Sequence, residues 1–215
     1  MGRRALRRND AGLELADHLL VASDLAEDWC PEDAFREPAP LEIEVGSGKG
    51  LFLEHASADH PQYNFLGIEI ARKYARFAAA RLARSERENA RVVIGDAQFL
   101  FARRVKTASL QAVHVYFPDP WWKKRHHKRR MICESFVKDV VRCLKPAGSF
   151  HVWTDVREYY QLTLELLAGV AQLSGPQDVD QRPATHDMDY QTHFERRVRL
   201  NDEPVYRCCY QRLDD

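Results

Sequence analysis

No stretch of this chain is apolar for long enough to cross a bilayer, and its basic start, Met1 to Arg8, is not followed by the apolar run of a secretory signal. Neither a CxxC pair nor a zinc-ligand spacing links the five cysteines, Cys30, Cys133, Cys143, Cys208 and Cys209. They read as reduced thiols filling core space in a cytoplasmic protein, with no metal site and no membrane partner. A GxxxxGK[ST] loop is missing too, since Lys49 precedes the last glycine of its run, which argues against a mononucleotide cradle. No obvious Ser/His or Cys/His pair offers an activated nucleophile. Net charge is also absent: 32 Lys and Arg balance 32 Asp and Glu. Wherever positive charge gathers, it has therefore been gathered locally, as in the footprint of a nucleic acid on a neutral protein.

With 215 residues, 45% of them hydrophobic, the chain is long enough to bury one real core. Residues 1–40 are polar and broken by Pro31, Pro38 and Pro40, and read as an arm, partly helical around Ala11 to Ala22. Residues 41–215 form the domain proper. Strands are expected at Leu41 to Val45, Asn64 to Ile70, Arg91 to Ile94, Ala112 to Phe117 and Ser149 to Thr154, with a closing β segment at Val205 to Gln211. Helices are expected at Gly50 to Ala58, Ala71 to Arg84, Ala97 to Arg104, Arg129 to Leu144 and Tyr159 to Leu173, and Ser174 to Tyr190 reads as a polar stretch. This alternation predicts an α/β fold, a parallel sheet with helices on both faces and ligands beyond the carboxyl ends of its strands. Glu44, Glu69, Asp96, Asp119 and Asp155 all fall at or just past such an end.

Glu44-Val45-Gly46-Ser47-Gly48-Lys49-Gly50 is a glycine-rich turn between strand and helix, where Gly46 and Gly48 let backbone approach a ligand. Glu69, nineteen residues after Gly50, stands where a carboxylate bridges the two hydroxyls of a ribose. Glu44 discriminates between cofactors. It would oppose the pyrophosphate of a dinucleotide, but it attracts the ammonium and sulfonium of S-adenosylmethionine. Asp96 is placed to reach an adenine amino group.

The most telling run is Tyr116-Phe117-Pro118-Asp119-Pro120-Trp121-Trp122, followed directly by Lys123 to Arg130. Two prolines present Asp119 stiffly, and a carboxylate can accept both N1–H and the 2-amino group of a guanine. Trp121 or Trp122 can stack on an exposed base, with the other in the core. Lys124, Arg125, Lys128, Arg129 and Arg130 supply phosphate contacts. Positive charge at the start of a helix opposes its dipole, which speaks for a polyanion there.

Together these residues resemble the bacterial tRNA (guanine-N7)-methyltransferase family, over about Leu41 to Arg212. The resemblance is carried by FPDPWWKKRHHKRRM and supported by EVGSGKG, GIEI, GDA and Thr192-His193-Phe194-Glu195. It implies a Rossmann-like methyltransferase fold, a seven-stranded, mostly parallel sheet whose last strand is antiparallel. It further implies S-adenosylmethionine held by Glu44, Glu69 and Asp96, and a catalytic Asp119. Lys123, Asp155, Thr192, His193, Phe194 and Glu195 would contact the substrate, a tRNA guanine at position 46 of the variable loop. His193 stands where the family commonly has Lys or Asn. The alternatives are a methyltransferase acting on another base atom or RNA, and a non-catalytic RNA-binding module of the same fold. Oligomeric state is not legible.

Overall fold

The computed structural model describes residues 12–121, 130–179 and 190–214. Eight strands form one sheet: β1 (Leu19–Val21), β2 (Leu41–Val45), β3 (Asn64–Glu69), β4 (Ala90–Ile94), β5 (Leu110–Tyr116), β6 (Leu144–Thr154), β7 (Leu173–Gln177) and β8 (Tyr206–Arg212). Their order is β1-β4-β3-β2-β5-β6-β8-β7. β1 to β6 pair in parallel, and β8 runs antiparallel to both β6 and β7. The helices are α1 (Leu51–Asp59), α2 (Arg72–Arg84), α3 (Ala97–Arg103), α4 (Glu134–Cys143), α5 (Arg157–Ala168) and α6 (His193–Leu200).

Alternation along each strand sorts the two faces. Ile43, Val45, Leu66, Ile68, Val113, Val115, Phe150 and Val152 join Phe101, Phe136 and Val140, of α3 and α4, in the larger apolar core. The other face carries Phe65, Val92, Tyr116 and Trp153 beneath Phe52, Leu53, Ala75, Ala78 and Leu82 of α1 and α2. Glu42, Glu44 and Glu69 share this second face by their strand parity. Chain order runs outward from β2 to β4 and then restarts at β5, so β2 and β5 are neighbours at the point where direction reverses. A ligand crevice belongs there.

Several expectations change. The sheet has eight strands rather than seven, because residues before Leu41 supply β1 at its edge. No helix spans Ala11 to Ala22: among the described residues, turns lead into β1. Leu20, Trp29 and Phe35 pack on the larger core, and the His18 ring bonds the Ala90 carbonyl at 3.2 Å. Part of the polar stretch after Ser174 is β7, and Thr192 to Leu200 holds a helix that polar composition concealed. Finally, the helix expected from Arg129 begins at Glu134 instead, with Cys133 as its cap. The basic block therefore precedes the helix, and the dipole argument does not apply to it.

Candidate active site

The glycine loop owes its shape to three residues in the left-handed region, Gly46 (φ 78°), Gly48 (φ 53°) and Gly50 (φ 69°). Gly50 is doubly constrained, because a Cβ there would stand 2.7 Å from the Ala78 Cβ. Gly67 on β3 likewise leaves room for Ser47 and Leu53 to seat against the strand. The loop is tied to its neighbour strand: Gly46 and Ser47 donate N–H bonds to the Ile68 carbonyl, at 2.8 and 3.2 Å. Gly48 N–H donates to Glu69 Oε2 at 2.8 Å, and Ala71 N–H to Glu69 Oε1 at 2.8 Å. Glu69 is thereby fixed by backbone donors, with a second lone pair on each oxygen left for a ligand.

Glu44 is different. It is buried, its Oε2 has no hydrogen-bond partner, and burial with Glu69 nearby pushes its carboxyl up to about 8. A buried polar atom left unmatched calls for a partner from outside the chain. A cation is the partner that would return Glu44 to its ionised form. The donor set fits the ammonium and ribose of S-adenosylmethionine on that ground.

Asp96 caps α3, with its Oδ1 accepting from Gln98 N–H at 2.8 Å and Phe99 N–H at 3.4 Å. It is exposed at the carboxyl end of β4 all the same. Sequence reasoning missed the apolar side chains beside these acids. Ile70, directly after Glu69, is 71% exposed, and Phe99, three residues after Asp96, is 53% exposed. Large apolar groups left open next to a polar crevice suit the faces of a flat ring. Their signal lay in position, a large apolar residue within three of Glu69 and of Asp96.

Beyond β5 the chain is under strain. Phe117 (φ 51°) and Trp121 (φ 43°) bracket Pro118-Asp119-Pro120, and non-glycine residues in that region cost about 1–3 kcal/mol each. Anchors hold both sides: Phe117 N–H donates to the Trp153 carbonyl at 2.8 Å, and Arg130 Nε to the Pro120 carbonyl at 3.0 Å. Asp119 itself is exposed. Val45 of β2 pairs with Val115 of β5, so the glycine loop and the Asp119 loop leave strands about 5 Å apart. Arg130, expected on phosphate, has its guanidinium 5.7 Å from the Tyr159 ring centre. Lys123, Lys124, Arg125, Lys128, Arg129 and Trp122 lie outside the described residues.

The Thr192 to Glu195 segment divides. Thr192 caps α6, its hydroxyl accepting from Glu195 N–H at 2.9 Å. His193 meets α2, with Arg81 Nη2 3.2 Å from its Nε2. Although the residue reaches the surface, burial of its ring with Arg81, Lys49 and Arg196 around it holds the imidazole down to about 4. Phe194 is 48% exposed and stacks on Phe117, with 5.8 Å between ring centres. Glu195 turns inward: it is buried, accepting from Gln191 N–H at 2.8 Å and from Arg207 Nη2 at 2.9 Å. Arg199 is also in reach, at 3.3 Å. Glu195 is thus engaged with the fold through both oxygens, Oε1 with two donors and Oε2 with one. Asp155, past β6, is half-buried.

A separate cavity of about 360 Å³ lies toward the amino ends of β2, β5 and β6, lined by Glu42, His114, Ser149 and His151 among others. Glu42 Oε2 and the Tyr116 hydroxyl each lie 2.8 Å from a nitrogen of the His114 ring. It contains none of the strand-end acids.

This sheet order, with its antiparallel β8 and an acid-lined crevice at the β2/β5 reversal, is the Rossmann-like methyltransferase fold. Solved methyltransferases share it at low identity: the 16S rRNA methyltransferase KamB (TM-score 0.60, 13% identity, 82% of this chain and 89% of that one) and the aminoglycoside resistance methyltransferase NpmB1 (TM-score 0.54, 15% identity, 83% and 88%). A family model described as "Putative methyltransferase" matches residues 38–208. The tRNA (guanine-N(7)-)-methyltransferase of Rhodopirellula baltica is 50% identical over 99% of this chain and 80% of its own length. That of Myxococcus xanthus is 34% identical over 87% and 89%. The chain belongs to the bacterial tRNA (guanine-N7)-methyltransferase family.

Proposed function

We propose that this protein transfers a methyl group from S-adenosylmethionine to N7 of a guanine in tRNA, at position 46 of the variable loop, in the cytoplasm. The observation that carries this reading is the pairing of β2 with β5: β2 carries the unmatched buried Glu44, and the loop after β5 a stiffly mounted, exposed Asp119. S-adenosylmethionine supplies an electrophilic methyl carbon. Guanine N7 has an in-plane lone pair, so no base need remove a proton, and the work of the chain is to orient and to balance charge. Asp119 accepts from the guanine N1–H and 2-amino group, and as positive charge grows on the purine this fixed carboxylate offsets it. Glu44 faces the ammonium, Glu69 the ribose hydroxyls and Asp96 the adenine amino group, with Ile70 and Phe99 against the adenine faces. Lys123, Asp155, Thr192, His193 and Phe194 serve the substrate nucleotide, and Lys124, Arg125, Lys128 and Arg129 its phosphates. The target base leaves its stack at a cost of a few kcal/mol, offset by stacking and hydrogen bonds. Incubation with bulk tRNA and methyl-labelled cofactor, followed by mapping of the labelled nucleotide, tests the proposal. Label in 7-methylguanosine at position 46 supports it, and label in an exocyclic amine or no transfer overturns it.

A further inference from the structure

α2 carries five cations, Arg72, Lys73, Arg76, Arg81 and Arg84, and no acid. Arg72, Lys73 and Arg76 share the exposed face of its first turn and a half, and they enter no hydrogen bond or ion pair among the described residues. Two of them open the helix, whose first turn holds no acidic residue. Positive charge at that end works against the helix dipole, so the arrangement is unfavourable for folding. In a chain of zero net charge, such a face needs another explanation.

Contacts supply one, because they lead from the Asp119 loop to Phe77 of α2, the residue directly after Arg76. Phe117, which leads into that loop, stacks on Phe194, and the Arg197 guanidinium lies 4.4 Å from the Phe194 ring centre. His193, next in chain, meets Arg81 of α2. Arg81 Nε donates to the Lys49 carbonyl at 3.0 Å, and both Lys49 and Arg81 lie over the Phe77 ring. Arg76 directly precedes Phe77 on α2, and Lys73 stands one turn back. A line of contacts thus runs from the candidate catalytic loop, across the start of α6 and through Arg81, itself paired with Glu54, to α2, whose exposed first turns carry cations without a protein partner among the described residues.

We infer that the Arg72, Lys73 and Arg76 face of α2 is a second RNA-backbone surface, gripping phosphates of the tRNA away from the target guanine. It rests on the tRNA reading above and adds to it a contact on the helix that follows β3, whereas the Asp119 loop follows β5. The partner is a polyanion read through its phosphates, so the contact is blind to base identity.

The test is the triple variant Arg72→Ala, Lys73→Ala and Arg76→Ala in the full chain. Its dissociation constant for tRNA is measured without cofactor over 50–200 mM salt, beside methyl-transfer kinetics of wild type and variant. The expected result is about tenfold weaker binding at physiological salt, with a log–log salt slope shallower by about two to three. KM for tRNA rises while turnover at saturating tRNA is retained. Cofactor affinity stays level, and the melting temperature is unchanged or slightly higher, since cations leave the helix start. Arg72→Lys with Arg76→Lys keeps the wild-type slope. A triple variant with unaltered tRNA affinity and slope overturns the α2 surface while leaving the methyl-transfer reading intact. A lowered melting temperature with lost cofactor binding also overturns it, by assigning these residues to the fold. A wild-type chain that binds tRNA but transfers no methyl to it overturns the functional reading instead.

Discussion

Burial holds the Glu44 carboxyl protonated up to about pH 8, against an ordinary value of 4.5. Between those values the folded chain keeps a proton that the unfolded chain has released, so stability falls as pH rises across the window. The loss by pH 7 is on the order of 3 kcal/mol. Glu44→Gln should therefore melt higher than wild type at pH 7 to 8 and converge with it below pH 4.5, while binding S-adenosylmethionine more weakly. Thermal melts across pH, with and without cofactor, check both signs. Asp119→Ala should lower turnover by roughly a hundredfold or more while tRNA still binds; loss of binding with normal turnover at saturation would contradict that role. Both acids were legible in sequence because each closes a strand, a pattern that needs no partner to be seen. Glu195 was named from its motif, but its pairing with Arg207 on β8, twelve residues on, was not legible, because a local motif cannot reveal a long-range ion pair.

At the scale of elements, strands and helices with strong alternation, such as β2, β3 and α2, were readable almost to their ends. α6 was not, because three of the eight residues of HFERRVRL are arginine and only Glu195 and Val198 are buried. α6 is held by Val198, which is fully buried, and by an ion pair: Glu195 and Arg207 are 4% and 5% exposed in their side chains. Removing Arg207 leaves Glu195 with Arg199 as its remaining cation, at 3.3 Å, so Arg207→Ala should destabilise the fold by about 1–3 kcal/mol. Denaturant unfolding measures it, and a loss below 1 kcal/mol would mean that the pair is solvated. Gly50 is the matching test for the loop. Gly50→Ala places a Cβ against Ala78 and strains a left-handed residue, so it should weaken cofactor binding together with stability.

Across the whole molecule, the segment read as an arm is part of the sheet. β1 closes the β4 edge, with Leu19 to Val21 in register with Val92 to Ile94. A fragment starting at Leu41 would bare that edge and the surface under Trp29 and Phe35. It should melt several degrees lower and aggregate on concentration, as unprotected edges do; a fragment as stable and monodisperse as the full chain would show residues 1–40 to be dispensable. Composition hid this role, because three paired residues leave almost no periodic trace. The Glu195–Arg207 pair also has a direction in time. On the ribosome the carboxylate emerges with Arg199 four residues behind it, and its second guanidinium follows only with β8. The full seating of α6 beside Phe117 is thus completed by the last strand to be made.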